Sequence, residues 1–303
     1  MLPLAGDEGF ADFDGYRTWY RVEGDLRAGE RDGPAPVVLL HGGPGATHDY
    51  LLPLADLASA GRSLVFYDQL GNGRSTHLPD RGGDFWTVEL FVRELANLIE
   101  QLGIGDRYHV LGSSWGGFLA QEHGITQPAG LRSLVLSDTA ASFPDFVTEC
   151  NRLRQELPPE VEAALRRHEE AGTTEDPEYE EACMVFYRRH LCRLDEWPEE
   201  LTASFAAIAE DPTVYHTMNG PSEFHVTGTI RDWQVLDRLD RIQVPTLVVS
   251  GRFDEATPRL QETLVAGIAQ TEQVIFESSS HTPFMEERER YMTVVDAWLR
   301  RHD

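Results

Sequence analysis

Short apolar-rich runs recur along the chain, continuous at 37–40 and 64–67, with others at 131–136, 244–250 and 273–276 and one leading into Gly112. Such runs suit strands buried on both faces of a parallel sheet. Between them lie segments with apolar residues at helical spacing, at 51–60, 88–102, 259–269 and 289–300, and a further one runs from the Gly112 region to about Pro128. Strand and helix therefore alternate, which predicts an α/β fold with a mostly parallel sheet and crossover helices. An opening hairpin is expected over 13–23 around Asp14-Gly15, followed by a polar connection over 24–36. The pattern changes after about Ala140. Up to Trp233 there is no buried-strand signal, only helical periodicity at 161–168, 178–191 and 201–209, broken by Pro158, Pro159, Pro177, Pro198, Pro212 and Pro221. The expected organisation is a core from 1–140 and 233–303 with a helical cap inserted at 141–232.

Gly112-Ser-Ser114-Trp-Gly116-Gly117 follows one of the apolar runs and opens a helical segment. Gly-x-Ser-x-Gly in a strand–turn–helix setting is a nucleophile elbow, in which the flanking glycines make room for a sharp turn and the serine stands at its apex. A serine hydroxyl needs a neighbouring base, and the base needs a carboxylate to fix its tautomer. In an α/β-hydrolase these follow in the order Ser, Asp or Glu, His, in loops at the carboxyl ends of strands. Asp254 follows the strand at 244–250, and His281 follows the last strand. The expected triad is therefore Ser114, Asp254 and His281, with Asp254 also placed to cap a helix beginning near Pro258. Backbone donors for an oxyanion are expected from Trp115, after the serine, and from Gly43 in His41-Gly-Gly-Pro-Gly45, since Pro44 has no N–H. His41 is expected to orient that loop. Asp in place of Ser114 would have suggested epoxide hydrolase or dehalogenase chemistry. A non-catalytic receptor on this fold would be expected to have lost Ser114 or His281.

Composition narrows the partners. Arg and Lys total 26 against 51 Asp and Glu, a net charge of −25, and all the basic members are arginine. Nucleic acid and anionic membrane are disfavoured by repulsion. No stretch has the roughly 20 apolar residues of a membrane helix, and no signal-like segment opens the chain. Cys150, Cys183 and Cys192 form an odd set without metal-ligand spacing, which suggests free thiols in the cytoplasm. No metal is expected, and Gly71-Asn-Gly-Arg-Ser75 lacks the third glycine of a dinucleotide fingerprint, so no cofactor is expected either.

The motifs His41-Gly-Gly-Pro-Gly45, Tyr67-Asp-Gln69 with Gly71, Gly73 and Ser75, Gly112-Ser-Ser-Trp-Gly-Gly117 and Gly251-x-x-Asp254-Glu255 resemble those of the proline iminopeptidase family of α/β-hydrolases. The branch they resemble most is the tricorn-interacting aminopeptidases. The resemblance extends into the insert at Asp176-Pro-Glu-Tyr-Glu180, Trp197-Pro198, Met218-Asn-Gly-Pro-Ser-Glu-Phe224 and Thr227-Gly-Thr-Ile-Arg-Asp-Trp233. It implies release of an N-terminal residue, proline or another neutral or apolar one, from small peptides or amino-acid amides through an acyl-enzyme. It also implies that Glu223 and Glu255 bind the free α-amine. A related alternative is an amidase or esterase acting on small amino-acid amides or an aminoacylated natural product. Trp115, Phe143, Tyr215, Phe224 and Trp233 are candidates either for an apolar side-chain slot or for simple packing.

Overall fold

The computed structural model describes residues 6–26 and 33–303; the start of the chain and part of the 24–36 connection lie outside them. One eight-stranded sheet has the order β1-β2-β4-β3-β5-β6-β7-β8. β1 (Asp7–Phe13) and β2 (Tyr16–Glu23) form a hairpin about the expected Asp14-Gly15 turn, its first strand starting before the expected 13–23 span. Its two-residue turn has both Asp14 (φ 50°) and Gly15 (φ 85°) left-handed, the geometry that matches the twist of paired strands. β2 pairs antiparallel with β4 (Leu64–Tyr67). From there β3 (Val37–Leu40), β5 (Tyr108–Ser113), β6 (Leu131–Ser137), β7 (Thr246–Gly251) and β8 (Thr271–Phe276) run parallel. β3, β4 and β5 are buried at every position, which is why β3 and β4 read as continuous apolar runs.

The core helices are α1 (Val88–Gln101) and α2 (Trp115–Ile125), then α8 (Pro258–Gly267), α9 (Pro283–Glu286) and α10 (Arg288–Arg301) after the insert. Thr87 caps α1, its side chain accepting from Leu90 N at 3.2 Å. Within α1, Glu94 is fully buried and accepts from Thr18 Oγ1 (2.5 Å) and Leu70 N (2.9 Å), joining the hairpin to the segment after β4. Burial pushes its carboxyl up to about 8.

Two expectations shift. The helical segment expected at 51–60 is a 3₁₀ helix, His48–Ala60, with Pro53 inside it; a proline removes a donor from an α-helical ladder. β7 starts at Thr246, not at 244. Its first donor into the sheet is Thr246 N, to Gln270 O (2.8 Å), because the preceding Pro245 has no N–H to offer.

Between β6 and β7 the chain forms α3 (Phe143–Arg154), α4 (Pro159–Ala171), α5 (Pro177–His190), α6 (Glu199–Glu210) and α7 (Thr213–Met218). Of these, α3 and α7 carried no clear sequence signal. The prolines open helices instead of breaking them: Pro159 and Pro177 occupy first turns, and Pro158, Pro198 and Pro212 stand just before helices. The insert is tied to the core where Thr47 N donates to Ser204 Oγ of α6 at 3.1 Å. No helix among the described residues is long and apolar enough to cross a membrane.

Candidate active site

Ser114 sits between β5 and α2 at φ 57°, ψ −124°, a strained conformation for a residue with a side chain. The turn tolerates no bulk at its flanks. A Cβ on Gly112 would stand 2.1 Å from Gly116 O, and one on Gly116 would stand 2.1 Å from Leu40 O. Ser114 N donates to Ser137 O (3.0 Å), and Thr139 Oγ1 donates to Ser114 O (2.9 Å), so β6 and the residues after it hold the turn in place.

His281 lies in the loop after β8, and its Nδ1 donates to Asp254 Oδ1 at 2.6 Å. That bond places the ring proton on Nδ1 and leaves Nε2 as a basic lone pair on the wall of the cavity that Ser114 also lines. Asp254 Oδ1 accepts from Ala256 N as well (2.8 Å). Thr257, not Asp254, occupies the position before α8.

A second buried carboxyl backs Asp254. Asp138, at the end of β6, accepts from Gly251 N (3.3 Å) and Ser137 Oγ (2.6 Å), while Asp254 Oδ2 is buried without a hydrogen-bond partner among the described residues. Burial raises both carboxyls.

The loop after β3 is braced on several sides. Gln69 N donates to His41 Nε2 (2.9 Å), so His41 carries its proton on Nδ1 and donates it to Gly42 O (3.0 Å). Burial lowers the His41 imidazole to about 4, which keeps it neutral and fits an orienting role. Gly42 N donates to Tyr50 Oη (2.7 Å). Gly43 adopts φ 108°, a left-handed value, and a Cβ there would stand 2.3 Å from Gly45 N. Trp115 is the first residue of α2, where an N–H has no partner within the helix and the helix dipole favours negative charge.

Ser114, His281, Gly43, Glu223 and Glu255 all line one cavity of about 660 Å3 under the insert. Glu223 accepts hydrogen bonds from Tyr215 Oη (2.6 Å) and Tyr187 Oη. Glu255 is buried, its Oε1 lies 3.8 Å from His281 Nε2, and its Oε2 has no partner among the described residues. Burial and the neighbouring carboxylates Glu223 and Asp254 push the Glu255 carboxyl up, against the pull of His281. A buried carboxylate without a cation is costly, which is the sense of that upward shift.

Beside Ser114 is a small recess of about 10 Å3, bounded by Trp115, Phe118, Phe143 and Phe146. Of the aromatic candidates, Trp115 and Phe143 border this recess and Tyr215 lines the larger cavity. The other two pack elsewhere: Phe224 against Phe186 and Trp233 on Phe118. Tyr187, Phe146 and Asp138 were missed by sequence reasoning. His168, Asp176 and Glu178 gather their ligand atoms within 4.8 Å of one another on the insert. Arg167 already pairs Glu178 at 2.6 Å, so the group reads as a surface ion-pair cluster.

Residues 37–294 match the model of the alpha/beta hydrolase family. A proline iminopeptidase of Thermoplasma volcanium is 38% identical over 289 residues, covering 95% of each chain. The crystal structure of proline iminopeptidase from Mycobacterium smegmatis is 44% identical, with a TM-score of 0.89 over 98% of both chains. The crystal structure of a protein called VinJ is 51% identical, with a TM-score of 0.96 over 99% of this chain and 100% of that one.

Proposed function

The chain belongs to the proline iminopeptidase family of alpha/beta hydrolases, and from that footing we propose that it is a serine exopeptidase releasing a neutral, apolar N-terminal residue through an acyl-enzyme. The observation that carries the reading is the pair of glutamates on the cavity wall. Glu223 is fixed by two tyrosines, and Glu255 is buried with an unpartnered oxygen. A substrate ammonium held between them supplies the missing cation and sets how far along the chain Ser114 can reach, which confines cleavage to the first residue. One carboxylate at 4 Å from an ammonium contributes about 4 kcal/mol at an effective dielectric near 20, before desolvation.

The remaining groups supply the chemistry. Ser114 Oγ attacks the first carbonyl carbon while its proton passes to His281 Nε2, and Asp254 steadies the imidazolium. The Gly43 and Trp115 N–H groups receive the oxyanion. The C–N bond breaks as His281 returns the proton to the leaving nitrogen. Water, deprotonated by the same imidazole, then releases the amino acid and restores Ser114. Residues 141–232 serve as the cap that closes the site and brings Glu223 to it. The small recess beside Ser114 suits a compact first side chain such as proline or alanine.

The deciding experiment compares a prolyl and an alanyl arylamide with their N-acetylated forms, using wild-type protein and Ser114→Ala. Turnover of the free amines alone, lost in the variant, is the expected result. Equal turnover of the blocked substrates would refute the amine clamp, and an unchanged Ser114→Ala would refute the mechanism.

A further inference from the structure

The wall facing the leaving group has its own chemistry. Beyond the glutamates, the cavity runs under the insert between apolar side chains, among them Met184, Leu191, Leu201, Phe205 and Ile208. Its charged lining is of one sign. Glu223 and Glu255 sit inside, and Glu175 and Glu180 are exposed at the rim. No arginine lines it among the described residues, and the chain contains no lysine. Its only imidazoles among the described residues are the exposed His216 and the buried His281. The whole chain carries −25, so the longer-range field has the same sign as the wall.

These features act differently on the two ends of a substrate. The α-ammonium is drawn in. The carboxylate of a free dipeptide, one residue further along, would be drawn into a low-dielectric space with no cation to meet it and like charges around it, a juxtaposition that weakens binding. An uncharged apolar group in the same place gains burial against the α5 and α6 side chains. Resting on the aminopeptidase reading above, we propose that the preferred leaving group is an uncharged, apolar amine, and that free dipeptides ending in a carboxylate are poor substrates.

The test holds the first residue constant and varies only the leaving group. Alanyl-leucine, alanyl-leucine amide and alanyl-glycine amide are compared by kcat/KM at neutral pH and low salt. The leucine amide is expected to exceed the free acid by at least about tenfold and the glycine amide by several-fold, and salt should narrow only the first gap. A second variant tests the cause: Ile208→Arg puts a cation on the wall and should raise the free acid relative to its amide. Equal rates for acid and amide in the wild type, or a free acid that leads, overturn the inference while leaving the aminopeptidase reading standing. If none of the three is cleaved, or if N-acetylated alanyl-leucine amide is cleaved as fast as the free amine, that reading falls and takes the inference with it.

Discussion

Gln69 accepts a hydrogen bond from the indole Nε1 of Trp115 at 2.9 Å. Its amide nitrogen donates to His41 O at 3.0 Å. One side chain thus spans the residue after Ser114 and the loop that carries Gly43, the two proposed sources of oxyanion donors. Gln69→Leu removes both bonds and leaves buried polar groups unpaired. Its kcat should fall by about ten- to a hundredfold, less than the loss expected from deleting a donor itself, with KM changing little. Steady-state kinetics on an arylamide checks this; a KM effect alone would count against a role in the oxyanion site.

The proposed clamp has a pH signature. Burial raises the Glu255 carboxyl, so it stays protonated, and blind to an ammonium, further up the pH scale than an ordinary glutamate. KM for a free-amine substrate should fall as pH rises through that raised range, then climb again as the substrate amine loses its proton near ~8. Glu255→Gln should raise KM strongly at neutral pH and flatten the acid limb. A KM that is flat between pH 5 and 7 in the wild type would argue against the assignment.

Asp138 is buried, and the charge of Asp254 adds to burial in raising its carboxyl. Asp138→Asn keeps an oxygen acceptor at that position and should keep most of kcat. Asp138→Ala removes the acceptor of Gly251 N and Ser137 Oγ, so kcat should drop about tenfold. If the alanine variant folds and matches the asparagine variant in rate, Asp138 is unimportant for the reaction.

The recess of about 10 Å3 between Phe143 and Phe146 predicts first-residue selectivity. Alanyl and prolyl arylamides should be preferred over leucyl and phenylalanyl ones, and Phe146→Ala should shift preference towards the larger residues. An enlargement that leaves the ranking unchanged would place the side-chain slot elsewhere.

Glu94 offers a stability test away from the site. Folded, its carboxyl holds its proton up to about 8; unfolded, it releases the proton near ~4.3. The folded state therefore binds the extra proton across that window. The stabilisation is complete below the unfolded value and is lost as pH rises through the window. Between pH 5.5 and 8, urea unfolding should show wild type losing about 3 kcal/mol more than Glu94→Gln. Parallel curves would mean that Glu94 is ionised in the folded protein at both values.

How far the sequence could be read depended on the kind of constraint. Val37–Leu40 and Leu64–Tyr67 announce themselves because both of their faces are buried. Gly112 and Gly116 do so because backbone atoms occupy the space of their side chains. Asp254 and His281 were legible from their position after strands. Gln69 was visible as part of a motif, but its role as a brace between two loops depends on contacts 28 and 46 positions away, which no local pattern encodes. Tyr187 lies 36 positions from Glu223 and looks like any aromatic on an amphipathic helix. Asp138, at the end of a strand and outside the expected triad order, drew no attention until its neighbour across the sheet was known. The recess walls were harder still: Phe224 and Trp233 had the same chemistry as Phe143, and only packing separates them.

Ser204 and Thr47 meet at 3.1 Å. Ser204 shares α6 with the apolar side chains Leu201, Phe205 and Ile208, and Thr47 stands four residues after Gly43. Thr47 Oγ1 also donates to Ser204 Oγ (3.2 Å) and Ser204 Oγ to Thr47 O (3.4 Å), so events against the roof and events at the reacting carbonyl are joined through this one residue pair. A tail too bulky for the roof would be felt first as a loss of rate, and only afterwards as a loss of grip.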